Sequence, residues 1–405
     1  EVRPQVSGII KERLFEEGTD VKQGQVLYLI APELYQATYN SAAASLKRAE
    51  ANAVSARLLA QRYEKLVKTD AVSKQEYDDA LAERYPGLRF VAGGAAAHGQ
   101  YEGGVVGGTA WLFSRDEWEG ELDYLFIDEA GQVPLANAVA MARSARNLVL
   151  LGDQMQLEQP VQGTHPGDAG MSVLQYMLKD EHNSRPDAPV YYPVIPADKG
   201  LFLGTSRRMH PNVCRFISES IYDGRLEAYA DCERQRVQLG RRELIDVEAG
   251  IQFSAVEHEG NVQRSDEEVE RVVRVFQELC GRPFTDKDGV TRPLTLDDFL
   301  FIAPYNAQVR ALKDALPEGA KVGSVDRFQG QEAPVTVLSM CSSAGEYGSR
   351  GLGFILDKNR VNVAISRAKC LAVVVADPRI ADTVPGSIEE MRLLNLFCKA
   401  VGASS

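Results

Sequence analysis

Apolar residues change their spacing twice along this chain of 405 residues. Near the start, short apolar runs alternate with turn residues: Val6-Ser-Gly-Ile-Ile10, Glu17-Gly-Thr-Asp20, Lys22-Gln-Gly-Gln25, then Val26-Leu-Tyr-Leu-Ile30. That spacing predicts short strands and tight turns over residues 1–32. From Glu33 the period becomes seven. Tyr39, Leu46, Ala53, Ala60 and Val67 interleave with Ala42, Ala49, Ala56 and Tyr63, a seam whose alanines let two helices approach closely. Pro32 suits a helix start, and Ser73-Lys-Gln-Glu76 is a capping box that opens a second helix. A coiled-coil helical hairpin is therefore predicted over residues 33–83.

After Asp79-Ala-Leu-Ala82 the heptads stop. A glycine-rich stretch follows, with Gly93-Gly94, Gly103-Gly104 and Gly107-Gly108. Beyond it the apolar residues come in continuous runs, Tyr124-Leu-Phe-Ile127, Asn147-Leu-Val-Leu-Leu-Gly152 and Phe301-Ile-Ala303. Runs of this kind predict strands buried on both faces, as in a parallel sheet. Ser265 with Glu268 reads as a second capping box, and Val269, Val272, Val273, Phe276 and Leu279 form the apolar face of the helix it starts. Prolines 166, 186, 189, 193 and 196 mark a loop-rich bridge between residues 84–199 and 200–405. The class predicted is α/β.

Composition narrows this only a little. A hydrophobic content of 44% and a charged content of 25% are ordinary for a globular protein. No apolar run reaches the roughly 18 residues that span a bilayer. The sequence as written opens Glu1-Val-Arg-Pro4 without a basic-then-apolar leader, so a cytoplasmic location is expected. A net charge of −12 supplies no general basic footprint for nucleic acid, although a locally positive groove is compatible with it. Six cysteines stand without C-x-x-C spacing. They read as reduced core thiols, with metal ligation the minor alternative.

The chemistry lies in short strings. Asp128-Glu129 closes the run Tyr124–Ile127, and ligands of parallel α/β sheets sit at the C-terminal ends of strands. One carboxylate there can hold Mg²⁺ and the other can orient an attacking water. An apolar strand ending in Asp-Glu is equally at home in a purely structural role. Gln156, in Asp153-Gln-Met-Gln-Leu-Glu-Gln-Pro160, is placed to sense a terminal phosphate, and an ordinary strand-to-loop turn has the same look. Arg208, in Thr205-Ser-Arg-Arg-Met-His-Pro211, and Arg367, in Asn359-Arg-Val-Asn-Val-Ala-Ile-Ser-Arg-Ala-Lys369, are candidates to meet phosphate oxygens in pairs. No G-x-x-x-x-G-K-[ST] string stands anywhere before them.

These strings carry two resemblances. Glu1-Val-Arg-Pro-Gln-Val-Ser-Gly-Ile-Ile10, Tyr35-Gln-Ala-Thr-Tyr39 and Val72-Ser-Lys-Gln-Glu-Tyr77 are similar to AcrA-type periplasmic adaptors of multidrug efflux pumps. That resemblance implies a half-lipoyl β segment at 1–32 and a coiled-coil hairpin at 33–83, and it supplies only the outgoing half of each. The later strings, together with Val322-Gly-Ser-Val-Asp-Arg-Phe-Gln-Gly-Gln-Glu332, resemble superfamily 1 helicases of the 5′-to-3′ group.

The helicase resemblance implies two RecA-like domains, the first incomplete at 84–199 and the second near complete at 200–405. ATP would lie in the cleft between them. Asp128 would hold Mg²⁺, Glu129 would activate water, Gln156 would sense the γ-phosphate, and Arg208 and Arg367 would act as arginine fingers. Nucleotide contacts fall at Arg207, Gln329, Gly330 and Glu332, the last at the ribose. Thr109, Ser324, Pro304 and Tyr305 fall at single-stranded nucleic acid. Arg207 stands where many members carry an aromatic, and its guanidinium plane can stack on a base instead. The missing phosphate loop implies an ATP-dependent helicase fragment that is inactive alone, completed by a missing N-terminal half. The alternative is a non-enzymatic efflux adaptor carrying the helicase part as a passenger, with efflux components as partners.

Overall fold

The structure, a computed structural model, describes residues 10–15, 22, 25–30, 90–92, 97–157, 167–180, 191–240, 244–328, 330–345 and 351–402. The predicted hairpin over 33–83 and Gln329 lie outside the described residues. The chain divides into two compact units, Glu1–Leu112 and Phe113–Ser405.

In the first unit, strand Ile10–Arg13 pairs antiparallel with Tyr28–Ile30, Arg13 lying opposite Tyr28. Phe15 meets Tyr28 edge-on at 5.2 Å, the kind of aromatic contact that fixes a short ribbon. Further along, Phe90–Ala92 runs parallel to Val105–Gly107.

The second unit is built on five parallel strands in the order Gly250–Ala255, Ala368–Ala376, Ala333–Ser339, Phe299–Ile302, Val322–Gly323. Strand alternation assigns each face of the sheet a core. Leu371, Val373 and Val375 pack with Phe276, Leu279 and Leu312, on helices Asp266–Leu279 and Asn306–Ala315. Ala372, Val374 and Ala376 pack with Ile217, Ile365 and Phe397, on helices Pro211–Ile221, Lys358–Ser366 and Ile388–Gly402. Helices cover both faces, so the strands are mostly apolar, and Ala333–Ser339 is buried at every position, its polar Thr336 and Ser339 included.

A second, two-stranded parallel sheet joins Leu122–Ile127 to Ala145–Leu150. Burial on both faces is the expectation for these runs, and the structure corrects it. Tyr124 and Phe126 are 59% and 63% exposed, and Leu148 is exposed too. Two strands with one covered face leave alternate side chains in water. The core thiol reading also needs amending: Cys398 is exposed and Cys280 half-buried, the other four being buried.

The helix Asp266–Leu279 starts differently from its sequence signature. Ser265 Oγ accepts from the Glu268 N–H at 3.1 Å, but Glu268 does not return the bond. Gln308 takes that place, its Oε1 accepting from the Ser265 N–H at 2.9 Å. Glu268 instead turns fully inward. Its carboxylate accepts from Ser339 Oγ at 2.6 Å and the Cys341 N–H at 3.0 Å, and it faces His258 Nε2 at 2.9 Å. His258 Nδ1 lies 2.8 Å from Ser343 Oγ. Burial alone would lower the His258 pKa, but the Glu268 hydrogen bond and charge, helped by Asp377 and Glu267, outweigh it and hold the imidazole above 6.5.

A raised folded pKa stabilises the native state below the unfolded value and ceases to do so as pH climbs through the folded one. In urea unfolding of the full chain, wild type should exceed His258→Gln by most at pH values below 6.5. The gap should narrow as pH rises above 6.5 through the raised folded value. A gap that stays constant or widens with rising pH contradicts this role for His258.

Candidate functional site

The carboxylate pair sits in the turn that ends strand Leu122–Ile127. Asp128 Oδ1 accepts from the Glu129 N–H at 2.9 Å, and Glu129 Oε2 from Gln132 Nε2 at 3.1 Å. Glu129 has φ 52°, the left-handed region that residues with a Cβ seldom enter. Its neighbour Gly131 is needed for a different reason. A Cβ there would stand 2.3 Å from the carbonyl oxygen of Asp153. The glycine thereby lets the carboxylate turn and the Asp153–Leu157 loop touch backbone to backbone. The Ala130 N–H donates to the Leu151 carbonyl at 2.8 Å and secures the approach.

Gln156 is held on that loop by its neighbours. Met155 and Leu157 are buried in the same core as Val361 and Ile365 of the helix Lys358–Ser366. Arg367 caps the end of that helix. The loop and the arginine are thus fixed by one packing unit, and Arg367 NH2 donates to Gln156 Oε1 at 3.5 Å. Arg367 is 4% exposed and its Nε has no hydrogen-bond partner among the described residues. Burial pushes its pKa below the usual arginine value and the Arg208 charge adds to this, while Glu129, Glu332 and Asp153 pull the other way. A guanidinium still keeps its proton. It is a buried cation with an unused donor.

Arg208 reaches the same place from the other side. Pro211 at the first turn and His210 as N-cap start the helix Pro211–Ile221, with His210 Nδ1 accepting from the Asn212 N–H at 3.1 Å. Burial keeps the His210 pKa low, so the ring is neutral and free to accept. Just before it, Arg208 Nε donates to Glu332 Oε2 at 2.6 Å, and Lys369 Nζ meets Glu332 Oε1 at 2.8 Å. Burial would raise the Glu332 pKa, but these two cations outweigh it and keep the carboxylate ionised. Gln235 Nε2 ties the two strings together by donating to the carbonyls of Arg208 and Lys369 at 2.8 and 3.1 Å.

Arg207, Arg208, Glu332 and Lys369 border a polar cleft of about 280 Å³, whose other wall carries Asp286, Lys287 and Arg292. The Arg207 guanidinium lies over the Tyr229 ring at 4.8 Å, with one planar cation already stacked on an aromatic.

The remaining expected residues spread out. Ser324 is half-buried before the turn Val325–Phe328, and Gly330 follows it with φ 72°. Pro304 borders a small apolar cavity with Val325 and Ile355. Tyr305 departs from expectation. It is 6% exposed with its ring 5.1 Å from Phe354, because it opens the helix Asn306–Ala315 from inside the core. Thr109 belongs to the first unit, where its carbonyl accepts from the Leu112 N–H at 2.9 Å. Sequence reading passed over Asp153, Tyr222, Asn362 and Lys369 as chemistry, although Asp153, Asn362 and Lys369 stand within the strings that drew attention.

Residues 192–379 match the family described as "AAA domain", and residues 38–98 match "RND MFP, alpha-helical hairpin domain". Over 82 residues the chain is 61% identical to the solvent efflux pump periplasmic linker SrpA of Pseudomonas putida, covering 20% of each. It is 52% identical over 97 residues to the multidrug efflux pump subunit AcrA of Escherichia coli (strain K12), covering 24% of each. The chain thus spans about a fifth of the length of these curated relatives. Among solved structures, the PRRSV helicase is 18% identical at TM-score 0.29, over 63% of this chain and 34% of that one. An arterivirus nonstructural protein 10 (helicase) in complex with DNA is 12% identical at TM-score 0.35, over 76% and 54%. Overlaps of that size carry no structural argument. The chain joins an N-terminal segment similar to AcrA-type adaptors to a C-terminal region that matches an AAA domain family.

Gly131→Ala should displace the Asp153–Leu157 loop and lower stability by roughly 1–3 kcal/mol, as overpacking does. Gly402→Ala, where a Cβ meets nothing within 4 Å, is the control. Equal thermal midpoints for the two variants would show that the close approach does not matter.

Proposed function

We propose that the second unit is the phosphate-responding part of an ATP-dependent nucleic-acid helicase or translocase, from a RecA-like pair whose first domain is incomplete here. The observation that carries this reading is the convergence on Arg367. A buried guanidinium with an unused Nε lies beside Arg208 and Gln156 and within electrostatic reach of Glu129. A site rich in pre-placed cationic donors suits a terminal phosphate, because transfer of that group is catalysed largely by positioning and charge. Bound Mg²⁺–ATP would supply the phosphoryl chemistry. Asp128 is the residue to hold the metal and Glu129 the one to orient water. Arg207 and the cleft beside Glu332 suit the nucleoside end.

The fit is partial. Residues 1–127 contain no G-x-x-x-x-G-K-[ST] string, the loop whose backbone N–H groups cradle β- and γ-phosphates. ATP turnover by this chain alone is accordingly absent or severely reduced. Single-stranded nucleic acid is the partner this reading implies, in the cytoplasm, with a further polypeptide supplying the loop. The 61% identity over 82 residues to an efflux linker favours one second reading, an adaptor-like arm with a passenger. Co-purification with efflux components would support that reading over the first.

Calorimetry of the purified chain with Mg²⁺–ATP should show binding that weakens at least tenfold in Arg367→Ala, the worth of one charge-assisted hydrogen bond or more. No heat with either protein would overturn the proposal. A steady ATP turnover that vanishes in Glu129→Gln would overturn the claim of inactivity while leaving the site assignment in place.

A further inference from the structure

Behind Gln156 stands a run of short hydrogen bonds whose proton positions chemistry alone can assign. Asn362 lies on the helix Lys358–Ser366, the helix that Arg367 ends. Its Nδ2 donates to the Met155 carbonyl at 2.8 Å and to Tyr222 OH at 3.0 Å. A carbonyl only accepts, so the nitrogen must face it. Tyr222 OH donates to Asp153 Oδ2. Burial raises the phenol pKa, and the Asp153 charge adds to it, so the hydroxyl keeps its proton. Asp153 also accepts from Gln156 Nε2 at 3.0 Å and, through Oδ1, from the Met155 N–H at 2.9 Å. A carboxylate only accepts, which turns the Gln156 oxygen outward toward Arg367.

The bonds thus form a closed circuit: Asn362, Tyr222, Asp153, Gln156, Arg367, and back along the helix to Asn362. Three of its hydrogen bonds are strong in geometry. The fourth, Arg367 to Gln156 at 3.5 Å, is at the limit of what counts as a hydrogen bond. It is the contact that can be exchanged for a phosphate oxygen at little cost. Asn362 is held there at a penalty, since its Oδ1 is buried without a partner among the described residues, and a residue kept under such a penalty calls for an explanation beyond stability. Tyr222 brings the helix Pro211–Ile221 into the same circuit, because it caps that helix.

We propose that Tyr222 and Asn362 are positioning residues that act through Asp153 to present Gln156 and Arg367 together to the terminal phosphate of a nucleoside triphosphate. Neither touches the nucleotide. The inference rests on the proposed nucleotide-responding function and adds the device by which this site distinguishes a triphosphate from a diphosphate. With Asp153 and Tyr222 in place, the Gln156 amide has one orientation; without the phenol, Asp153 loses a donor and the amide is free to turn.

The test is equilibrium binding of a non-hydrolysable Mg²⁺–ATP analogue and of Mg²⁺–ADP to the full chain, to Tyr222→Phe and to Asn362→Ala, each first shown to melt cooperatively. Wild type should prefer the triphosphate. Each variant should lose roughly tenfold of that preference, the worth of one hydrogen bond to a charged group, with ADP affinity unchanged. A merely structural role would weaken both nucleotides alike, and that outcome overturns the relay. An unchanged preference in both variants does the same, as does a wild type that binds both nucleotides equally; in these cases the nucleotide-binding reading survives. A chain that binds neither nucleotide overturns that reading and the relay with it.

Discussion

Burying the guanidinium of Arg367 is the constraint around which this site is arranged. A cation withdrawn from water demands compensating charge and acceptors. Glu129, Glu332 and Asp153 supply the charge at a distance, Gln156 supplies a weak acceptor, and Arg208 opposes. The balance is incomplete, since Nε has no partner among the described residues. An arrangement that under-compensates a buried cation is costly for stability and favourable for anion binding. The helix Lys358–Ser366 holds the residue there because Val361, Val363 and Ile365 are anchored in the core beneath the sheet.

The same core explains why residues far apart in sequence share one site. Met155 and Leu157 enter it from the loop after the second apolar run, and Val213, Ile217 and Ile221 enter it from the helix after the Arg-Met-His-Pro string. Between these anchors the polar residues have little freedom. Gly131 then removes the side chain that would keep the carboxylate turn away from the Asp153 loop. Apolar burial sets the approach; hydrogen bonds set the orientation. The Glu268–His258–Ser343 group does a comparable job on the opposite face, fixing the end of strand Ala333–Ser339 to the start of a helix through a wholly buried carboxylate.

Much of the second unit was legible from the sequence for a simple reason. Strands of a parallel sheet covered on both faces are buried along their length, so the wholly apolar Phe299–Ile302 announces itself. Ala333–Ser339, which carries Thr336 and Ser339, lies outside the runs the sequence pattern marks. The run Tyr124–Ile127 carries the same signal as Phe299–Ile302 and misleads, because the sheet it joins has two strands and one covered face. Glu268 misled in the opposite sense. Its spacing from Ser265 reads as a helix cap, yet the acceptor it was expected to provide comes from Gln308, forty-three residues away. Local patterns say which roles a residue can fill; a distant competitor decides which one it takes.

By itself the sequence determined the change of character near residue 83, the α/β class of the residues beyond it, the absence of a phosphate-loop string, and the arginine, glutamine and carboxylate strings. Each of these is written in contiguous residues, where periodicity and spacing operate. Only the tertiary structure decided that Glu332 is bridged by Arg208 and Lys369, that Tyr305 is buried, and that Asn362, Tyr222 and Asp153 stand in line behind Gln156. Those pairings span separations of up to more than two hundred residues, as between Asn362 and Met155. Nothing in local spacing encodes a contact that exists because two distant apolar faces found the same core.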